Sequence, residues 1–237
     1  MSTNASIPDL VVLTPCIDHA TFVEKILTRG QQSNCIRVLR HKVIRDELRD
    51  CLYHSPQRLL QPFLRHPCRY LIVWDHDGSG ARLPEEAEQS VRRSLEPWSL
   101  ADRMLAVAVA PELEGILTAQ YPKCRELLVE MAKRTNKPVP TDEQILRKTC
   151  EILRKDHRRR REPQNLSEAC EDTPKELLKA TATLTLGRYS PVVVATLAEK
   201  LSLEFLKTNR SDFSRITSWL KIQFPPSSHW MNVHDHG

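Results

Sequence analysis

Apolar residues gather into short uninterrupted runs in the first half of the chain and recur at helical spacing in the second. Leu10 to Leu13, Tyr70 to Trp74 and Met104 to Ala110 are the uninterrupted runs. Runs this short, bounded by proline, glycine or acids, predict strands buried on both faces. Residues 9–14 form the first, closed by Pro15, which has no N–H to give a ladder. His19 to Arg29 places Phe22, Val23, Ile26 and Leu27 on one helical face, and Gly30 ends it. Cys35 to Arg40 alternates well enough to predict a second strand, and residues 41–54 fit helical spacing without clean caps. Ser55-Pro56 opens a helix bearing Leu59, Leu60, Phe63 and Leu64.

The run at residues 70–77 is the next strand, and it ends on Asp75 and Asp77 ahead of Gly78-Ser79-Gly80. If the backbone stays extended to Asp77, the two carboxylates point the same way. Pro84 to Leu95 carries Glu85 and Glu86 early and Arg92 and Arg93 late, the polarity that suits a helix dipole. It predicts a crossover helix into the run at 104–110, so the strands on either side are parallel. Parallel strands present their carboxyl ends on one edge, where ligands bind in open α/β sheets. Asp75, Asp77, Glu112 and Glu114 are therefore expected to converge. Carboxylates in such a group suit Mg²⁺, or Mn²⁺. The competing readings are an Asp-Gly turn at Asp77 and helix initiation at Pro111-Glu112.

Beyond residue 120 the pattern is helical. Pro122 to Arg134 predicts one helix, and Thr141-Asp142-Glu143-Gln144 is a capping box for another. Residues 162–172 read as a linker. Thr173-Pro174 and Ser190-Pro191 start further helices, the second running through Leu206, and Asp212 to Phe224 gives a last amphipathic one. The expected organisation is an α/β domain over 1–120, a helical region over 121–224 and a flexible tail over 225–237. Arg158, Arg159, Arg160 and Arg161 form a basic run that suits phosphate contacts to DNA or RNA, or a solvated helix end. His229, His234 and His236 lie on the tail, without cysteine partners that would make a metal site.

Composition narrows the picture only slightly. The 237 residues, 40% hydrophobic and 27% charged with net charge +5, describe a globular protein compatible with a polyanionic partner. Seven cysteines, with no C-x-x-C pair and no signal segment, point to reduced thiols and a cytoplasmic location. No run approaches the length of a membrane span, so no membrane partner is expected. Cys16 follows the first strand; as a nucleophile it would need a base that the sequence does not identify.

A strand-helix start, a strand ending in Asp-x-Asp and a later strand ending in Pro-Glu-x-Glu resemble TOPRIM-like domains. More narrowly, Trp74 to Gly80, Asp102-Arg103, Ala110 to Glu114 and the later Pro174-Lys175-Glu176 resemble a small bacterial group that includes the fourth component of methylation-associated antiphage defence systems. The resemblance implies a mostly parallel sheet flanked by helices. It implies a Mg²⁺-dependent nuclease or nucleic-acid-processing role in defence, with other defence subunits as partners. Asp75 and Asp77 take the metal-holding D-x-D positions, and Glu112 and Glu114 belong to the narrower signature. The family's first acid follows strand one; here Thr14 to His19 contains no glutamate, so Asp18 is the candidate catalytic residue there, beside Glu112. The alternative is a non-catalytic scaffold that binds nucleic acid or a partner.

Overall fold

The structure, a computed structural model, describes residues 7–46, 50–133, 138–155 and 161–226. It is an α/β protein with a four-stranded, all-parallel sheet in the order β2-β1-β3-β4. The strands are β1 (Leu10–Thr14), β2 (His41–Arg45), β3 (Arg69–Asp75) and β4 (Met104–Val109). The chain divides into two compact units, one of residues 1–74, 81–108 and 214–237, the other of 75–80 and 109–213.

The first unit holds the sheet. All of β1 and β4 is buried, as their unbroken apolar sequences require, and β1 pairs with both β2 and β3. Helix α1 (Ile17–Gln32) buries Phe22, Val23, Ile26 and Leu27, the predicted face. Between β2 and β3 lie two short helices, α2 (Asp50–His54) and α3 (Pro56–Leu60), and α4 (Pro84–Leu95) links β3 to β4. Leu52, Leu60, Tyr70, Ile72, Trp74, Val91 and Leu95 share one core cluster. Glu88 of α4 is buried, accepting Ala108 N–H at 3.1 Å and a two-armed contact from Arg215 at 2.8 and 2.6 Å.

The second strand corrects the sequence reading. Residues 35–40 are irregular and β2 occupies 41–45, inside the stretch read as ambiguous helix. Ile36 and Leu39 are buried but Val38 is 79% exposed, so the alternation seen in the sequence does not match a pleated face. Asp9 explains the placement: its carboxylate accepts Arg40 N–H at 2.8 Å and a guanidinium N–H of Arg37 at 3.1 Å. That clamp holds the chain irregular up to Arg40 and admits it to the ladder at His41. As the sheet's outer strand, β2 keeps polar side chains in water and carries no apolar signature.

The second unit is helical: α5 (Glu114–Thr118), α6 (Tyr121–Ala132), α7 (Asp142–Lys155), α8 (Leu166–Asp172), α9 (Pro174–Leu186), α10 (Pro191–Lys200) and α11 (Leu203–Asn209). The last helix, α12 (Ser211–Gln223), leads the chain back into the first unit at Ser214. The capping box at Thr141 forms, with Thr141 N–H reaching Gln144 and Gln144 N–H reaching Thr141 Oγ1. Helix α9 is central, packed by α5, α6, α7 and α8. Its small Ala180, Thr181, Ala182 and Thr185 are buried and let neighbours approach, while the Thr181 and Thr185 hydroxyls donate back to the carbonyls of Leu177 and Thr181.

Two further differences concern punctuation. The expected linker at 162–172 contains α8, opened by Asn165, whose side chain accepts Glu168 N–H at 3.0 Å. Glu168 also accepts the N–H of Gln164, the residue before the cap, at 2.9 Å. The helix expected from Pro191 through Leu206 breaks at Leu201-Ser202, where Ser202 caps α11 by accepting Phe205 N–H. Residues 227–237, with His229, His234 and His236, lie outside the described residues. No helix among the described residues is long and apolar enough to cross a membrane.

Candidate functional site

Asp75, Asp77, Glu112 and Glu114 all fall within the second unit. Asp75 is the last residue of β3, and the backbone then turns into a single 3-10 turn, His76–Gly78. Ser79 fixes that turn by giving both its N–H and its hydroxyl to His76 O, at 2.9 and 2.7 Å. Extension therefore stops at Asp75, and the two-residue alternation that would align Asp77 with it does not apply. Asp77 is exposed, and its N–H donates to Pro111 O at 3.3 Å.

Asp75 does something more specific. Its Oδ1 accepts Leu113 N–H at 2.7 Å, tying the end of β3 to the segment that opens α5. With the Asp77–Pro111 contact, this lays residues 75–77 along 111–113. Glu112 and Glu114 are each 1% exposed, so the two strand-end acids point inward rather than into water. Glu114 also begins α5, where a carboxylate suits the dipole.

A residue outside the predicted set completes the arrangement. Lys175, in the first turn of α9, places Nζ 3.9 Å from Asp75 Oδ2 and 3.9 Å from Glu114 Oε1. Tyr189, on the connection after α9, donates its hydroxyl to the same Glu114 Oε1 at 3.0 Å. Gly187, at φ 88°, ends α9 in the left-handed conformation and allows that connection to turn. The site is thus Asp75 and Glu114 bracketing an ammonium, closed by a phenol. Lys175 was discoverable in principle: a cation in the first turn opposes the helix dipole and calls for a compensating anion.

Carboxylates are the donor type Mg²⁺ takes, so the chemistry of the set is suitable. The geometry is not. The position between Asp75 and Glu114 belongs to Lys175, Asp77 sits exposed in the 3-10 turn, and among the described residues no three acidic, histidine or cysteine side chains are grouped to hold an ion.

Asp18, the candidate for the first acid, lies in the first turn of α1 in the first unit. Its neighbours supply what the sequence left open about Cys16. The Cys16 thiol stands 3.2 Å from Nδ1 of His19, one turn on and almost fully buried. Burial pushes the thiol up, but the His19 ring and the backbone N–H groups of His19 and Asp18 outweigh it and hold the thiol below its ordinary value. In contrast, burial raises Cys124, buried beside α5, and pushes Cys170 up to about 11. Of the basic run, Arg161 is described and exposed, whereas Arg158, Arg159 and Arg160 lie outside the described residues. Comparison with family models, curated proteins and solved structures finds no match.

Proposed function

We propose that this chain is a TOPRIM-like subunit of a bacterial antiphage defence assembly that binds nucleic acid and does not cut it. The single observation that carries the non-catalytic part is the Lys175 ammonium held between Asp75 and Glu114. A built-in cation at that place neutralises the acids that the resemblance would assign to a metal. The absence of a glutamate after the first strand supports the same reading, because Asp18 and its neighbours carry a thiol–imidazole pair instead. Support for the defence role comes from the sequence motifs alone, and support for nucleic acid from those motifs and the excess of basic residues.

A Mg²⁺-dependent nuclease is the rival reading. Its support is the burial of Glu112 and Glu114 together with Asp75, because carboxylates withdrawn from water demand positive charge. It requires Lys175 to leave the space between Asp75 and Glu114. Phage protection separates the two. With a subunit that binds without cutting, deletion of the chain abolishes protection and Asp75→Asn retains it, with the variant's fold checked by circular dichroism. Loss of protection in a folded Asp75→Asn variant, together with Mg²⁺-dependent cleavage by the wild type, would overturn the proposal.

A further inference from the structure

The first unit has a cleft of about 500 Å³ that neither the acidic site nor the basic run accounts for. It opens where the chain enters β1 and β2 and where the segment after α3 approaches β3. Arg40, His41, Lys42 and His66 line it together with the apolar Pro62 and Phe63, and among the described residues no acidic side chain lines it. Its position follows from the fold. The Asp9 clamp delivers Arg40, His41 and Lys42 to the start of the outer strand, where all three are exposed. Phe63 is anchored from beneath: its ring packs on the core cluster, and its carbonyl accepts the Tyr70 hydroxyl at 2.6 Å.

These groups differ in what they offer an anion. Arg40 shares its charge with Asp9, at 3.8 Å, whereas Lys42 makes no ion pair among the described residues. A cleft with cationic groups beside an aromatic ring matches a nucleotide unit, phosphate on the basic side and base on the ring. Its volume suits about one nucleotide, so a duplex, whose bases are stacked and paired, would not enter it. We infer that this cleft binds a single strand of nucleic acid, with Lys42 and Arg40 on the phosphates and Phe63 supporting a base. The inference rests on the nucleic-acid reading above and moves the contact from the basic run to the first unit.

The test is fluorescence anisotropy of the purified full-length protein with a labelled oligothymidylate. Two to three phosphate contacts predict an affinity that falls about tenfold between about 50 and 200 mM salt. Lys42→Glu with His41→Glu, on the exposed outer strand, should weaken binding at least tenfold. Phe63→Leu, which keeps an apolar side chain on the core but removes the ring, should weaken it about tenfold with little change in salt dependence. Replacing Arg158 to Arg161 by alanine should leave binding within about twofold if the cleft carries the contact. Wild-type binding with both cleft variants unaffected overturns the cleft and leaves the nucleic-acid reading standing. Absence of any nucleic-acid binding overturns both. Equal affinity for a duplex, or competition by thymidine monophosphate as strong as by the oligomer, overturns the assignment to a single strand.

Discussion

Replacing Lys175 by methionine removes the cation between Asp75 and Glu114 while keeping the length of the side chain. At an effective dielectric near 20, two unit charges 3.9 Å apart attract by about 4 kcal/mol, and Lys175 meets two carboxylates at that distance. The gross attraction overstates the effect, because lysine loses hydration at the site and its side chain remains 20% exposed. The larger consequence falls on the carboxylates, Asp75 at 15% side-chain exposure and Glu114 at 2%, which are left without that compensation. We expect a loss of about 2 to 4 kcal/mol at neutral pH, near the lower end of what breaking a buried pair costs. Urea denaturation measures it, with Lys175→Arg as the control that keeps the charge and most of the stability. A Lys175→Met protein as stable as wild type at neutral pH would overturn this role for Lys175.

Three further outcomes follow from other parts of the molecule. Glu88→Ala removes the acceptor of Ala108 N–H and of Arg215 and should cost about 2 to 4 kcal/mol in denaturation, because a backbone donor at the end of β4 is left in the core. For Asp9, burial is outweighed by the Arg40 N–H and by Arg37, which hold its carboxyl below the usual range. The stability it contributes, about 1 kcal/mol, is present in full above the ordinary carboxylate pKa and is lost as pH falls through the lowered one, so an Asp9→Asn variant should differ from wild type at neutral pH and not in strong acid. Cys16 should react with iodoacetamide faster than Cys124 or Cys170 near neutral pH, and His19→Phe should slow it; peptide mapping by mass spectrometry that finds Cys16 no faster than those two would contradict the pairing.

The fold was legible wherever burial follows from local sequence. The runs at β1, β3 and β4 contain nothing but apolar side chains over most of their length, and a parallel sheet with both faces covered is what such runs form. Helices α1, α4, α7 and α9 carry their own start signals or apolar faces. The second strand was not legible, because its place is set by the Asp9 clamp and by its register on β1, both long-range, while its sequence His41-Lys42-Val43-Ile44-Arg45 is that of a wet edge. At the site, sequence supplied Asp75, Glu112 and Glu114, of which Asp75 ends β3 and the other two follow β4. It did not supply the turn that ends the extended backbone at Asp75, although Asp77-Gly78 is turn chemistry. Nor did it supply Lys175, about a hundred residues downstream of Asp75, which only the packing of α9 brings to that carboxylate.

Titration calorimetry with Mg²⁺ and Mn²⁺ tests whether Lys175 already neutralises Asp75 and Glu114. Wild-type protein should give no saturable heat that depends on Asp75. Saturable Mg²⁺ binding by wild type that Asp75→Asn abolishes would contradict it.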